Sequence, residues 1–160
     1  MNDDYNRDFY AWTQSQGAYL RRRDARNIDW ENLAEEIEAM GRQERRKLMN
    51  RLRLLLGHLL KWQYRPDRRS RSWEATIAIQ PKDIADLLKD NPSLKSFLDE
   101  AFVAGYERGL LLAIGETDLP AETFPIEPPS DFEYALNTEL DSDRASVLIG
   151  ARTGARNADR

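Results

Sequence analysis

The sequence predicts an all-α fold: a single-domain helical bundle of about five to six helices over residues 5–140, followed by an irregular C-terminal segment. Two observations predict it. Apolar residues recur at three- and four-residue spacing through most of the chain, and no alternation of useful length indicates a strand. The length of 160 residues also suits one domain. Residues 141–160 mix small, basic and polar types, so we expect a tail that lies on the surface or moves.

Composition excludes several classes of protein. The chain is 41% hydrophobic and 32% charged, a balance typical of neither disordered nor membrane proteins. It has no cysteine and one histidine, His58, which excludes disulfides, thiolate metal sites and cysteine nucleophiles. No apolar run approaches the ~20 residues that span a bilayer, and the acidic N-terminus has no apolar segment of a secretory signal. We therefore expect a cytoplasmic protein with no membrane segment, no metal and no cofactor.

Charge is distributed unevenly along the chain. Residues 42–73 carry eleven basic and two acidic side chains, whereas residues 1–41 and 74–160 are acidic overall. A basic block of this kind suits a phosphate-binding surface, or it is neutralised by acidic segments packed beside it. The sequence pI of about 5.2 favours neutralisation, because nucleic-acid-binding domains usually have a pI above ~9.

The first half of the chain predicts two or three helices. An amphipathic stripe covers residues 5–22, and Asp29 is placed to cap a second helix that starts at Trp30. The second stripe pauses at the polar run after Gly41, so we expect a bend there or two separate helices. It ends at Pro66; unbroken, residues 30–64 would span about 52 Å.

The second half predicts shorter helices. Residues 65–72 form a polar, basic loop, and a helix from Trp73 meets Pro81, where we expect a kink or a restart. The residues 92–115 predict a helix with apolar residues on two faces, which is either buried between layers or offers a partner interface. Its small residues would let a neighbouring helix approach closely. Ser130 is placed to cap a short helix over residues 131–140.

Several segments, read in order, resemble a bacterial family, the domain-of-unknown-function family twenty-nine. The most specific are Leu-Ala-Glu-Glu-Ile-Glu at 33–38 and His-Leu-Leu-Lys-Trp at 58–62. The others are Asp8–Trp12, Ile28–Asn32, Met40–Gly41, Arg51–Arg53, Gln63–Tyr64, Arg69–Trp73 and Asn91–Leu94. The resemblance covers residues 5–140 and implies an all-helical domain; the family has no established activity, so it implies no catalytic residues. Pro81 and the ending after residue 140 depart from the family pattern.

One arrangement suggests catalysis. Arg53 and Arg51 precede His58 by five and seven residues, a spacing that resembles the Arg-x(4–6)-His motif of helical ribonucleases. In such a site the histidine moves a proton and the arginine stabilises phosphate charge. On one helix Arg51 and His58 point about 20° apart and Arg53 and His58 about 140° apart, so Arg51 is the better partner. The alternative is a structural histidine at the rim of an apolar face, which we favour.

The basic loop offers a second candidate site, for single-stranded nucleic acid. Cations alternate with aromatic residues there, a pattern that places charge beside phosphates and rings beside bases. The candidate cations are Lys61, Arg65, Arg68, Arg69 and Arg71. The alternative, which the sequence favours, is that Trp62 and Trp73 belong to the core and that the arginines are solvated or paired with acidic groups.

Glu31, Glu35 and Glu38 share one side of a helix. We expect a solvated acidic face, or pairing with Arg42, Arg45 and Arg46, rather than a metal site, because oxygen-only sites usually draw ligands from several elements.

Two functional hypotheses remain. The favoured one is a non-catalytic helical interaction or regulatory module that binds a protein partner or a second copy through the helix at 92–115 or through the basic loop. It predicts that charge changes at Val103 or Tyr106 break association. The alternative is an RNA-binding protein or weak ribonuclease that uses Arg51, Arg53, His58 and the basic loop. Nucleic acid is the less favoured partner.

Overall fold

The structure, a computed structural model, describes residues 4–137, and these are helical with turns and loops between the helices. The α-helices are α1 Asp4–Arg7, α2 Phe9–Arg22, α3 Trp30–Tyr64, α4 Arg71–Asp90, α5 Leu98–Thr117 and α6 Phe132–Leu136. Short 3-10 helices lie at Pro66–Arg68, Pro92–Phe97 and Ala121–Thr123. The all-α prediction is confirmed. The predicted tail at 141–160 lies outside the described residues.

The chain divides into two compact units, Met1–Glu44 and Arg45–Arg160. The prediction of a single domain over 5–140 stays a prediction. Among residues 4–137, no helix combines the length and the apolar character that crossing a membrane requires.

The first unit is organised by hydrogen bonds around Asp29. The indole N–H of the buried Trp12 donates to the carboxylate of Asp29 at 3.2 Å. The backbone N–H of Asp29 donates to Gln16 Oε1 at 2.9 Å. Asp29 also accepts from the side chain of Asn32 at 2.8 Å, which holds the pKa of the Asp29 carboxyl below its usual value. The backbone N–H of Asn32, in the first turn of α3, donates to Asp29 Oδ1 at 3.4 Å, so the predicted cap of α3 at Asp29 is confirmed.

The predicted helix over residues 5–22 is two helices, and Asp8 explains the division. Asp8 has non-helical backbone angles, and its side chain accepts from the N–H of Ala11 at 2.9 Å to cap α2. A short acidic side chain competes with helical backbone hydrogen bonds, so α1 ends and α2 begins at this residue.

The predicted separation into two helices at Gly41 and the predicted restart at Pro81 are wrong, whereas the alternative bend at Gly41 and kink at Pro81 stay predictions. α3 continues through Gly41 as one helix of 35 residues, because the polar residues after Gly41 are good helix formers and an exposed polar turn does not end a helix. α4 likewise runs through Pro81 without restarting. Two other boundaries also differ: residues 92–97 are 3-10 helix rather than α-helix, and Asp131 rather than Ser130 caps α6.

In the core of the second unit, α3 and α5 approach each other closely at glycine residues. Leu48, Leu52, Leu55 and Leu59 of α3 are fully buried. A Cβ added to Gly105 would lie 2.7 Å from Leu52 Cβ, and one added to Gly109 would lie 2.8 Å from the backbone nitrogen of Gly57. The small residues of the 92–115 segment therefore do allow close approach, as predicted, and the neighbour is α3.

Candidate functional site

His58, the only imidazole in the chain, has partners on both ring nitrogens. Its Nδ1 lies 2.8 Å from the carbonyl oxygen of Leu54, one turn earlier in α3. A carbonyl oxygen only accepts, so Nδ1 carries the proton and Nε2 is left to accept from Lys61 Nζ at 3.3 Å. Burial lowers the pKa of His58, and the Lys61 charge acts in the same direction. The imidazole is therefore held in its neutral form by its surroundings.

Lys61 is a fully buried lysine with three kinds of partner. Only 1% of the residue is exposed. Its ammonium group binds the carboxylate of Glu116 on α5, donates to His58, and lies 4.6 Å from the centre of the Trp73 ring. A buried ammonium is stable only when it is paired and hydrogen-bonded, and this arrangement supplies both conditions. The cluster of Lys61, Glu116 and His58 thus ties α3 to α5.

The structure places the two arginines of the predicted Arg–His pair in different surroundings. Arg51 forms an ion pair with Asp83 on α4, whereas the polar contacts of His58 run to Leu54 and Lys61. Arg53 is partly buried, and its Nε has no hydrogen-bond partner. The contacts that define a catalytic pair, an arginine and a histidine facing one open site, are not among those seen at His58.

The arginines of the basic loop bind groups at the C-terminal end of α5 and within the loop. Arg65 donates to the carbonyl of Thr117 at 2.7 Å and also pairs with Asp67. Arg68 pairs with Asp118 at 3.1 Å. Cations at this position complement the exposed carbonyls of a helix end.

Arg69 and Arg71, the last cations of the loop, differ in their surroundings. The Nε of Arg69 donates to the Trp62 carbonyl at 3.0 Å, and its guanidinium lies 4.8 Å from the Trp62 ring centre. Trp62 itself is buried. Arg71 begins α4 and is exposed.

The neutral His58 gives the protein a testable pH dependence. Its pKa is lowered from 6.5 on folding, so the unfolded chain binds a proton more readily than the folded one. Stability from this residue is complete above pH 6.5 and declines as the pH falls through the lowered pKa. We expect urea unfolding at pH 7.5 and pH 5.5 to show a smaller loss of stability in His58→Gln than in the wild type. Equal losses in both proteins would exclude His58 as the source.

The acidic residues of α3 do not gather other ligands. Glu31, Glu35 and Glu38 are exposed, and Glu38 forms an ion pair of 3.6 Å with Arg42 one turn later. Within residues 4–137, no three acidic or histidine side chains come together in a group that could hold a metal ion.

The N-terminal part of α3 exposes large apolar side chains. Trp30 is 59% exposed, Ile37 61% and Met40 66%. At 100° per residue these three lie within about 80° of one another, so they form one stripe, named here the α3 apolar face. In residues 48–59 the apolar stripe of the same helix is buried in the second unit. The spacing of apolar residues predicts both stripes equally. It does not indicate which stripe is buried and which is exposed.

The predicted partner surface on residues 92–115 is mostly internal. Tyr106 is 1% exposed, and its hydroxyl donates to the carbonyl of Pro125 at 2.6 Å. Leu110 and Ile114 pack against the core. Val103 remains 51% exposed. The expectation that Tyr106 offers a contact surface is therefore wrong, because its ring fills the space between α5 and the segment after it.

Comparisons with known proteins identify the chain at the level of a family. Neither a curated protein nor a solved structure matches it. The family model described as domain of unknown function DUF29 matches residues 5–140. That range covers most of the chain and includes α2, α3, α4 and α5 in full. The chain belongs to the DUF29 family.

Proposed function

We propose that this protein is a non-catalytic helical interaction module that docks a partner through the α3 apolar face. The observation that carries the proposal is the exposure of Trp30, Ile37 and Met40, each by more than half, on one side of one helix. Soluble proteins rarely leave contiguous large apolar side chains in water unless another molecule covers them. Tryptophan is also one of the residues most enriched where binding energy is concentrated.

The polar cluster supports a structural role rather than catalysis. A general base needs a ring nitrogen free to reach substrate, and a nucleophilic lysine needs an accessible amine. His58 uses both nitrogens in internal contacts, and Lys61 is buried against Glu116 and Trp73. These contacts favour stabilisation of the α3–α5 pair over proton transfer.

RNA binding is the weaker alternative. Lys61, Arg65, Arg68 and Arg69 each bind a carboxylate or carbonyl of the same chain, so binding phosphate at these residues would cost existing contacts. Arg68 and Arg71 are the exposed cations of the set, and Arg68 pairs with Asp118. We expect RNA affinity to be weak, and strong affinity that falls steeply between 50 and 200 mM salt would favour the alternative.

Photo-cross-linking tests the proposed surface. A photoreactive phenylalanine analogue replaces Ile37 in one variant and Ile79 of α4 in a control, because both isoleucines are helical and about equally exposed, at 61% and 50%. We expect a discrete adduct from position 37 after irradiation of intact cells and little from position 79. The same adduct should form in a His58→Gln background, since the imidazole takes no part in docking. Equal, weak adducts from both positions would contradict the proposal.

A further inference from the structure

We propose that the outer side of the contact between α3 and α5 binds a phosphate monoester, held by the guanidinium groups of Arg46, Arg53 and Arg108. This site lies in the second unit and does not involve the α3 apolar face. Three features carry the proposal: the absence of acidic partners for these arginines, their position on one side of the helix contact, and a buried donor on Arg53 that has no acceptor.

The three arginines have no acidic partner among residues 4–137. None of their guanidinium groups forms an ion pair or a hydrogen bond with another residue of that range. Ion pairs along a helix join residues three or four positions apart, and no residue at those distances from Arg46, Arg53 or Arg108 is acidic. Arg51 of the same helix, in contrast, pairs with Asp83. The positive charge of the three arginines is therefore not balanced locally.

The backbone of Arg53 lies directly against α5. A Cβ added to Gly105 would lie 3.3 Å from the backbone nitrogen of Arg53, and one added to Gly109 would lie 2.9 Å from its carbonyl oxygen. The Cβ added to Gly109 would also lie 2.8 Å from the nitrogen of Gly57. Later residues of α5 thus meet later residues of α3, so the two helices run in the same direction.

On α5, Arg108 lies on the side of the contact away from the core. At 100° per residue, it lies about 80° from the line that joins Gly105 and Gly109. The buried Tyr106 lies about 80° from the same line in the opposite direction. Arg108 is itself exposed. Its guanidinium is therefore available on the outer side of the contact.

On α3, Arg46 and Arg53 also lie away from the core. Relative to the contact residues Leu52 and Gly57, both point about 30–50° to one side, and the buried Leu48 points about 110° to the other. The helices run in the same direction and the core covers one side of both. The three arginines consequently share the opposite side.

Arg53 shows that an acceptor is missing on this side. Its side chain is partly buried, and its Nε is inaccessible to solvent without a hydrogen-bond partner. A buried donor on a charged group is costly unless an acceptor satisfies it. An oxyanion beside the Arg53 guanidinium would supply that acceptor, and its negative charge would offset the repulsion among the three arginines.

The number of cations favours a phosphate monoester over other oxyanions. A carboxylate and a phosphodiester each carry a single negative charge, whereas a phosphate monoester carries about −1.5 to −2 at pH 7 and offers three acceptor oxygens. The planar guanidinium binds such oxygens through paired, charge-assisted hydrogen bonds. Three arginines without acidic partners match the doubly charged group best.

Titration with phenyl phosphate at pH 7.5 and constant ionic strength tests the site, followed by NMR of the arginine Nε–H groups. We expect a saturable shift of the Arg53 signal, which is identified by its absence from Arg53→Lys. Arg108→Gln removes one charged donor and should raise the dissociation constant about fivefold or more. Arg21→Gln, the matched control at an exposed arginine of α2, should leave it unchanged.

Two further anions separate the phosphate monoester from other ligands. Dimethyl phosphate and acetate each carry one charge, so we expect both to bind at least about fivefold more weakly than phenyl phosphate. Equal affinity for dimethyl phosphate would overturn the monoester in favour of a nucleic-acid backbone, and equal affinity for acetate would overturn it in favour of an acidic peptide. A shift that does not saturate, or an affinity that Arg108→Gln leaves unchanged, would overturn the site itself.

Discussion

Gly109→Ala is expected to lower the free energy of unfolding by about 3 kcal/mol, the upper end of the usual cost of overpacking. The added Cβ would lie 2.8 Å from the backbone nitrogen of Gly57 and 2.9 Å from the carbonyl oxygen of Arg53. Both atoms belong to the backbone of α3, so the clash is relieved only by moving the whole helix. Urea unfolding followed by circular dichroism measures the change.

Gly41→Ala is the matched control. Gly41 also lies inside α3, but a Cβ there would meet nothing within 4 Å. Alanine is favoured over glycine in a helix interior by about 0.8–1 kcal/mol, so this variant should be more stable than the wild type. Opposite signs at the two glycines identify close helix contact as the cause. Stabilisation by both substitutions would contradict the packing of α5 on α3.

Glu116→Ala is the second change with a large expected effect. It leaves the buried Lys61 ammonium without its carboxylate, and breaking such a pair costs about 3–5 kcal/mol when both partners are buried. Because the Glu116 side chain is 49% exposed, we expect a smaller loss of about 2 kcal/mol. Glu107→Ala, the same substitution at an exposed position of α5, should change stability by less than about 0.5 kcal/mol.

Removing the charge as well as its partner distinguishes ion pairing from packing. Lys61→Met keeps an unbranched side chain of similar length, and an apolar residue in place of a buried ion is often neutral or stabilising. The double variant Lys61→Met with Glu116→Ala should therefore be more stable than Glu116→Ala alone, within about 1 kcal/mol of the wild type. A double variant as unstable as the single one would show that Glu116 acts through other contacts.

Local signals in the sequence predicted those parts of the fold that depend on local chemistry. A carboxylate directly before a helical stripe can accept a hydrogen bond from a backbone N–H of the first turn. The structure confirms that Asp29 caps α3 in this way. The glycines of α5 allow a neighbouring helix to approach, again as predicted. The all-α fold follows from periodicity that extends over most of the described chain.

The wrong predictions are those in which a local signal was given too much weight. Gly41 and Pro81 weaken a helix by an amount that the surrounding turns exceed, so α3 and α4 continue through them. Asp8 has the reverse effect: one short polar side chain divides a stripe that looked continuous. Helix propensity gives the free energy by which each residue disfavours the helix. The helix ends there only if the neighbouring residues do not stabilise it by more than that amount.

The candidate site could be predicted only in part. The sequence identified His58 and Lys61 as residues of interest, but their partner Glu116 lies 55 positions from Lys61, a separation that periodicity does not bridge. Trp30, Ile37 and Met40 lie in the predicted stripe between Trp30 and Gly41, and their exposure depends on what the rest of the chain covers. Both the pairing of Lys61 with Glu116 and the exposure of the stripe depend on tertiary structure.

Hydroxyl-radical labelling in intact cells tests the docking surface most directly. Met40 and Tyr10 are both exposed in the isolated chain, at 66% and 74%, so the ratio of their labelling reports cover over the α3 apolar face. If a partner covers that face, the Met40 to Tyr10 ratio should be several-fold higher in cells that express Ile37→Asp than in cells that express the wild type. Equal ratios in the two cell lines would mean that the face is bare in both, and would contradict its role in docking.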